Sequence, residues 1–285
     1  MSFTSYKKDK LLMEGWRKFL KEDIQSEVEQ EQEQSQGSWP SSPPKNVKIE
    51  KGSNFSSEQI QKLWNSFSTM NPPKDPDQVL QIIGGIDVMT KNIKELAGHF
   101  ANADENPDRI AMPVVDPDKD FPDLRQGLSK GQLDFKEPFT SDEDKFPQGL
   151  DKADPKIQSK FLTKGLRDGD PKDDTGVTLT PKPISCGSSY PTQKQVYLDK
   201  CIWNILNFGP TKPGGTAHGK PNLIAIQASP DKNLILDGHH RWASAFISGG
   251  STAQINVQVL SGLDAPTAIA ALRSFGNAKG NAQKA

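Results

Sequence analysis

Two adjacent histidines, His239 and His240, sit between Asp237-Gly238 and Arg241-Trp242, and they are half of the four histidines in the chain. A carboxylate, a glycine, two imidazoles and a guanidinium in five consecutive residues suit the gripping of an anion. The apolar run Leu234-Ile235-Leu236 precedes them and a helical pattern follows, so the order reads as strand, tight turn, helix start. A helix start offers unpaired backbone N–H groups and a partial positive charge, which makes it a phosphate site. Arg241 can clamp two phosphate oxygens with its planar fork. Each imidazole can donate to an oxyanion or relay a proton, with His239 the expected proton shuttle. Asp237 can orient a histidine or hold a metal bound to the phosphates, and Gly238 lets the backbone approach a ligand closely. The plainer alternative is that Asp237 caps the helix while one histidine packs in the core.

The elements that must position these residues lie in the last hundred residues. Val177–Ile184 alternates loosely, as a strand does. Pro191-Thr192-Gln193-Lys194-Gln195 reads as a helix start, with Thr192 and Gln195 at capping-box spacing. Tyr197, Cys201 and Ile205 line one stripe of that helix, and Leu198, Ile202 and Leu206 line the next. Leu223–Gln227 and Leu234–Asp237 are expected strands joined by a turn with Pro230 and Asp231. His239–Ser248 is an expected helix stopped by Gly249 and Gly250. In Gln254–Leu260, Ile255, Val257 and Val259 share one face, and Asp264 leads into a final helix with Pro266 in its first turn.

The earlier chain is more loosely patterned. Residues 1–36 hold an amphipathic helix over 9–25 (Leu12, Trp16, Phe19, Leu20, Ile24) and a Glu/Gln-rich extension. Residues 37–55, with Pro40, Pro43 and Pro44, read as a linker. Residues 56–100 read as a helical hairpin. Ser56 or Ser57 caps its first helix, and Asp75 or Asp77 starts the second, in which Gly84 and Gly85 mark a kink or a close packing contact. His99 ends that helix. Residues 101–176 show neither period and read as an irregular linker with one short helix near 156–166. The fold class expected is α+β: a small mixed sheet with helices at the C-terminal end, preceded by helical and largely irregular segments.

Composition narrows the function. Net charge is −1 with 25% charged residues, so no global basic field exists to coat nucleic acid. The hydrophobic fraction of 33%, with 22 Pro and 23 Gly, implies that part of the chain lacks a packed core. No apolar stretch approaches the ~20 residues of a membrane helix, and no signal-type apolar core follows Lys7, Lys8 and Lys10. Cys186 and Cys201, the two cysteines, define neither a disulfide framework nor a metal spacing. A cytoplasmic protein is the expectation.

Two further features could serve a phosphate. The loop Lys212-Pro213-Gly214-Gly215-Thr216-Ala217-His218-Gly219-Lys220 carries two lysines and three glycines that could close over a triphosphate as a lid, or it is simply a solvated loop. It lacks the Gly-Lys-Ser/Thr ending of a Walker A loop. Lys200, near the domain front, could reach phosphate or lie at the surface.

The phrase Leu234-Ile235-Leu236-Asp237-Gly238-His239-His240-Arg241-Trp242-Ala243 resembles the signature of the ParB/sulfiredoxin superfamily. Pro191-Thr192-Gln193 and Tyr197-Leu198-Asp199-Lys200 resemble the front of ParB-like domains. The resemblance covers residues 177–262, under a third of the chain, within a ParB/sulfiredoxin-like domain expected over 177–285. It implies nucleotide binding at the turn, with ATP or CTP and Mg2+ as cofactors. His240 and Arg241 match the phosphate-binding His and Arg of sulfiredoxins. His239 stands where those proteins have a reactive Cys, so sulfinic acid repair is not expected. ParB partition proteins hydrolyse CTP and add a helix-turn-helix reader, which the stretch after residue 262 is too short to hold. Free serine kinases of the superfamily share Asp-Gly-His-His-Arg and use a glutamate base. Gln193 stands at the nearest position and cannot take a proton, which disfavours kinase activity.

Three functions follow as expectations. The first is a nucleoside-phosphate-binding protein that hydrolyses or transfers phosphate, with Gly238, His240, Arg241, Lys200, Lys212 and Lys220 on the phosphates and His239 and Asp237 catalytic. The second is a ParB-like nuclease acting on DNA. The third is a non-enzymatic interaction or virion-associated protein whose N-terminal helix binds a protein partner. For that last reading, Leu12-Met13-Glu14-Gly15-Trp16-Arg17-Lys18-Phe19-Leu20 resembles the openings of some tailed-phage proteins, which implies a phage-encoded chain.

Overall fold

The computed structural model describes residues 39–115, 120, 178–211, 223–278 and 281. Within them the chain is α+β. In order, the elements are β1 (Lys48–Ile49), α1 (Ser57–Ser68), α2 (Pro76–Ile83), α3 (Ile86–Gly98) and a 3-10 turn at Arg109–Ala111. These are followed by β2 (Thr178–Ser185), β3 (Ser189–Pro191), β4 (Val196–Tyr197) and α4 (Leu198–Phe208). The last are β5 (Ile224–Ser229), β6 (Lys232–Asp237), α5 (His239–Gly249), β7 (Gln254–Ser261) and α6 (Ala265–Ala278).

Five strands form a mixed sheet in the order β2-β7-β5-β6-β3. β2 runs antiparallel to β7 and β5 antiparallel to β6, whereas β5–β7 and β6–β3 are parallel. Alternation assigns the two faces. Ala225, Ile235, Ile255, Val257 and Val259 join one core with Trp242, Phe246 and Ile247 of α5 and Leu198, Ile202 and Ile205 of α4. The alternate set, Ile224, Ile226, Leu236 and Leu260, is also buried. It lies outside that core, and α6 packs against β6 with Ala268 and Leu272 buried.

The helical segment shares the same core instead of standing apart. Ile60, Trp64, Met89, Ile93, Leu96 and Phe100 are continuous with the α4/α5 side chains, and α3 packs directly on α5. Each such fully buried side chain contributes roughly 1.5–3 kcal/mol. Ser56 caps α1 through a capping box: the Gln59 N–H donates to Ser56 Oγ (3.2 Å) and the Ser56 N–H to Gln59 Oε1 (2.9 Å). Asp75 caps α2 by accepting from the N–H groups of Asp77 and Gln78. Gly84, at φ +100°, ends α2 in a left-handed cap and α3 begins anew. The Gly84-Gly85 pair therefore separates two helices where a kink or a packing contact was expected.

Three expectations fail for one physical reason, a partner distant in sequence. Pro191 and Thr192 do not start a helix. Pro191 ends β3, the edge strand where a missing N–H is tolerated, and α4 starts at Leu198 with no side-chain cap. The Thr192 hydroxyl donates to the Ile235 carbonyl instead (2.6 Å). The expected 37–55 linker supplies β1, which pairs with β4, and Trp39 stacks on Trp203 with ring centroids 5.9 Å apart. Its Val47 carbonyl accepts from the Leu198 N–H at 2.6 Å. The opening of the expected 101–176 linker is tied down as well. The Asn106 side chain donates to the Pro191 carbonyl (3.1 Å) and Lys194 N–H to the Pro107 carbonyl (3.1 Å). The remainder of that segment, with its expected helix near 156–166, lies outside the described residues apart from Asp120, as does the amphipathic stretch within residues 1–36. Among the described residues no helix is long and apolar enough to cross a membrane.

Candidate functional site

β6, an inner strand, carries Asp237 at its C-terminal end, and Gly238 turns the chain into α5. Gly238 sits at φ +90°, ψ 26°, a left-handed conformation that L side chains adopt at a cost. A Cβ there would lie 2.8 Å from Arg241 Nη2 and 3.0 Å from Leu223 Cγ. Gly238 is thus required twice, by the backbone and by the guanidinium folded over it. Gly238→Ala is expected to lower stability by about 1–3 kcal/mol and to displace Arg241. A thermal melt beside a nucleotide titration checks this; wild-type values in both would contradict it.

Arg241 Nη2 pairs with Asp237 Oδ2 at 3.3 Å, reaching back from the first turn of α5 to the end of β6, with both side chains mostly shielded from solvent. Asp237 therefore orients the arginine, where a histidine or a metal was expected. Burial pushes the Asp237 carboxyl up, while Arg241, the Gly238 N–H and Lys200 pull it down. Gly238, the N-cap, has no side chain with which to cap the first turn of α5, and the leading N–H groups of a helix have no partner within it.

The histidine pair performs a task the sequence reading did not foresee. Both rings are buried. His239 Nε2 accepts the Thr192 N–H (3.1 Å), and His240 Nε2 accepts the Tyr197 N–H (3.0 Å). Two backbone donors of the 191–197 stretch are thereby latched onto α5, and each ring is fixed as the tautomer with its proton on Nδ1. Tyr197 also stacks on His240 (5.9 Å). Burial, then Arg241, drives His239 down to about 3, the nearby Ile235 carbonyl opposing. Burial, then Lys200, Arg109, His239 and Arg241, holds His240 well below the usual imidazole range. A ring so buried and so committed at Nε2 is ill placed to shuttle protons, and the expectation for His239 gives way to a positioning role. His240 retains only Nδ1–H as a donor for a ligand.

This arrangement sets a pH response. The unfolded chain binds protons at its histidines below about pH 6.5, whereas folded His239 and His240 stay neutral. Stability is therefore full above pH 6.5 and falls as pH drops toward 3, by up to about 1.4 kcal/mol per pH unit for each ring. His99, also lowered by burial, adds in the same direction. Asp199 and Asp237 are raised and act in the opposite sense as they take up protons, two carboxyls against three imidazoles. Urea midpoints are expected to fall between pH 7.5 and 5.5. A flat profile would contradict the buried neutral pair.

Lys200, in the first turn of α4, is half-buried, and its ammonium is lowered to about 8 by burial, then by Arg109 and, more weakly, by Lys45 and Arg241. Its neighbour Asp199 is buried and ties the region together. Asp199 accepts from the N–H groups of Asn46 (2.6 Å), Val47 (3.4 Å) and Lys200 (2.8 Å). Arg109 and Lys45 arrive from the two segments expected to be linkers. Neither carries a local sequence signal; long-range backbone clamps place both.

The remaining candidates have plain placements. Lys212 and Lys220, with the rest of their loop, lie outside the described residues. Gln193 is buried and donates to the Gln195 carbonyl. Cys186 and Cys201 are buried thiols pushed up to about 12 by desolvation, a setting that suppresses the thiolate. His99 does more than end α3: its Nδ1 lies 2.8 Å from the Ser189 carbonyl, and its ring packs on Tyr190 and Phe246. Among the described residues no group of three His, Cys, Asp or Glu side chains converges. Asp237, paired to Arg241 and near Lys200, is a poor resident ligand for Mg2+, because those cations repel a second positive charge.

No family model matches the chain, and neither does any curated protein or solved structure.

Proposed function

We propose that this chain binds a nucleoside phosphate, such as ATP or CTP, at the start of α5, as its resemblance to the ParB/sulfiredoxin superfamily implies. The observation that carries the proposal is the glycine-capped start of α5 with the Arg241 guanidinium folded over it and held by Asp237. Phosphoryl oxygens would accept from the N–H groups of the first turn. Arg241, held by Asp237, would supply the planar fork. Lys200, mostly protonated at neutral pH, would add a point charge. The two imidazoles would shape the turn by fixing the 191–197 stretch against it. Mg2+ would arrive on the phosphates as part of the ligand, and no step is assigned to it. Hydrolysis and transfer are likewise not assigned, because the Nε2 atoms of both histidines are committed to backbone partners.

Calorimetric titration with ATP and CTP, with magnesium, tests this. Saturable binding of at least one nucleotide is expected. Negligible heat from both, in protein shown to be folded, would overturn it. No observation among the described residues favours the DNA-nicking reading, and the virion or partner-binding reading rests on residues 1–36.

A further inference from the structure

We propose that Pro181 and Pro183 close the outer edge of β2 to strand addition and so keep a second copy of the chain from pairing there. The inference is independent of the nucleotide reading. Among the described residues β2 is the outermost strand on its side of the sheet. A sheet edge offers a row of open backbone N–H and C=O groups, and the eight residues of β2 are long enough for another strand to join. Thr180, Pro181, Lys182 and Pro183 are exposed, so the middle of that row meets solvent. The opposite edge strand, β3, is only three residues long and ends in Pro191.

Which backbone groups of β2 face outward follows from its neighbour. The Gln258 N–H of β7 donates to the Leu223 carbonyl at 2.8 Å, on the β5 side. In a strand the N–H and C=O of one residue point to the same side, and that side alternates along the chain. Asn256, Gln258 and Leu260 therefore face β5, while Ile255, Val257 and Val259 face β2. The residues in register with those three are Ile184, Lys182 and Thr180, which close the ladder with β7. The Cys186 N–H, which donates to the Ala253 carbonyl at 2.8 Å, continues the same alternation. Leu179, Pro181, Pro183 and Ser185 turn their backbone groups to the free edge.

Two of these four outward positions are proline, which has no N–H to donate. Neither costs the sheet a hydrogen bond, because neither faces β7. Their spacing matters: two residues apart they fall on the same side, whereas adjacent prolines would have broken the ladder. At Ser185 the carbonyl is already taken by the hydroxyls of Ser188 (3.1 Å) and Ser189 (2.8 Å). An incoming strand would meet carbonyls without donors across the middle of β2. Each proline also holds the residue before it, Thr180 or Lys182, in an extended conformation, so the strand keeps its shape while its edge is shut. Lys182 adds a charge between the prolines, its Nζ donating to Gln227 Oε1 at 3.1 Å over the face of the sheet. An antiparallel copy centred there would set two Lys182 side chains against each other, and like charges so placed repel.

The test is the solution mass of the full chain, by sedimentation equilibrium, for wild type, the double variant Pro181→Thr/Pro183→Thr and the control Pro230→Thr. Threonine restores both N–H groups and favours strands. Pro230 is exposed in the turn between β5 and β6, so its replacement removes a proline without opening an edge. Between about 1 and 100 μM the double variant is expected to climb toward roughly twice the wild-type weight-average mass, with the control at the wild-type value. Each single variant restores one donor and is expected to associate more weakly, which preserves a readout if the double variant misfolds. Far-UV circular dichroism and a thermal melt establish folding. Hydrogen exchange locates the contact: the amides introduced at positions 181 and 183 are expected to slow as concentration rises. Wild-type mass in folded variants would overturn the inference. So would equal association of the control, or association that leaves the exchange of those two amides unchanged.

Discussion

Arg241→Ala is expected to raise the nucleotide dissociation constant about 100-fold, while Arg241→Lys, which keeps the charge and loses the fork, recovers only part of it. A charge-assisted hydrogen bond contributes about 1.5–3 kcal/mol, and a bidentate guanidinium makes two, so a loss near 2.7 kcal/mol is a modest expectation. The fold should survive. Arg241 is partly exposed and lies in the first turn of α5, and its partner Asp237 is already raised by burial. Without the guanidinium that carboxyl rises further and takes up a proton more readily, which limits the cost of leaving it alone. The checks are titration calorimetry on both variants and a melt that separates lost binding from lost structure. Nucleotide affinity within twofold of wild type in Arg241→Ala would remove the arginine from the site.

Trp242→Ala, one residue further on, is expected to act in the opposite way, by weakening the fold. Trp242 is fully buried, and its ring lies beside His99, Phe100 and Phe246. Its Nε1–H donates to the Cys186 carbonyl at 3.2 Å, bridging α5 to the turn after β2. Truncation leaves a cavity where α3, α5 and the sheet meet, at a cost of about 3–5 kcal/mol. The Cys186 carbonyl keeps the Ser189 N–H as a donor at 3.2 Å, so the cavity and not the lost hydrogen bond dominates the cost. Against a total stability of about 5–15 kcal/mol this is a large fraction, and the melting temperature should fall by on the order of 10 °C. Chemical denaturation measures it. A loss below about 1 kcal/mol would show that Trp242 is not the joint between the helical layer and the sheet. On the proposed reading the adjacent pair divides the motif, Arg241 for the ligand and Trp242 for the core.

What was legible in the sequence was what is local. β5, β6, β7 and α5 each carry their own period within a dozen residues, Asp264 and Pro266 mark the start of α6, and Ser56 and Asp75 cap the helices that follow them. Asp237 through Arg241 announced a strand-to-helix turn because Gly238 must adopt positive φ there. The helix break at Gly84-Gly85 was missed, since two glycines inside a continuous apolar period read as a kink or packing contact although a left-handed glycine is a common helix terminator. What stayed hidden depends on partners far away in the chain. β1 and β4 are two residues each and exist only as a pair. Thr192 has capping-box spacing with Gln195, yet its hydroxyl and N–H are claimed by residues more than forty positions on. The same long-range claims turned the two imidazoles from donors awaiting a phosphate into acceptors of backbone N–H groups. Lys45 and Arg109 were invisible because each is one cation in an unpatterned stretch, and their place beside Lys200 is set through Asp199 and the 191–194 loop.

The central claim is that phosphate sits at the start of α5. A crystal structure of the full chain with a non-hydrolysable triphosphate analogue and magnesium tests it most directly. The expected result places a phosphoryl group within about 3.2 Å of the first-turn N–H groups of α5 and of the Arg241 guanidinium. Its remaining phosphates should run past Lys200. A nucleotide bound elsewhere on the molecule, with the turn at Gly238 untouched, would contradict it.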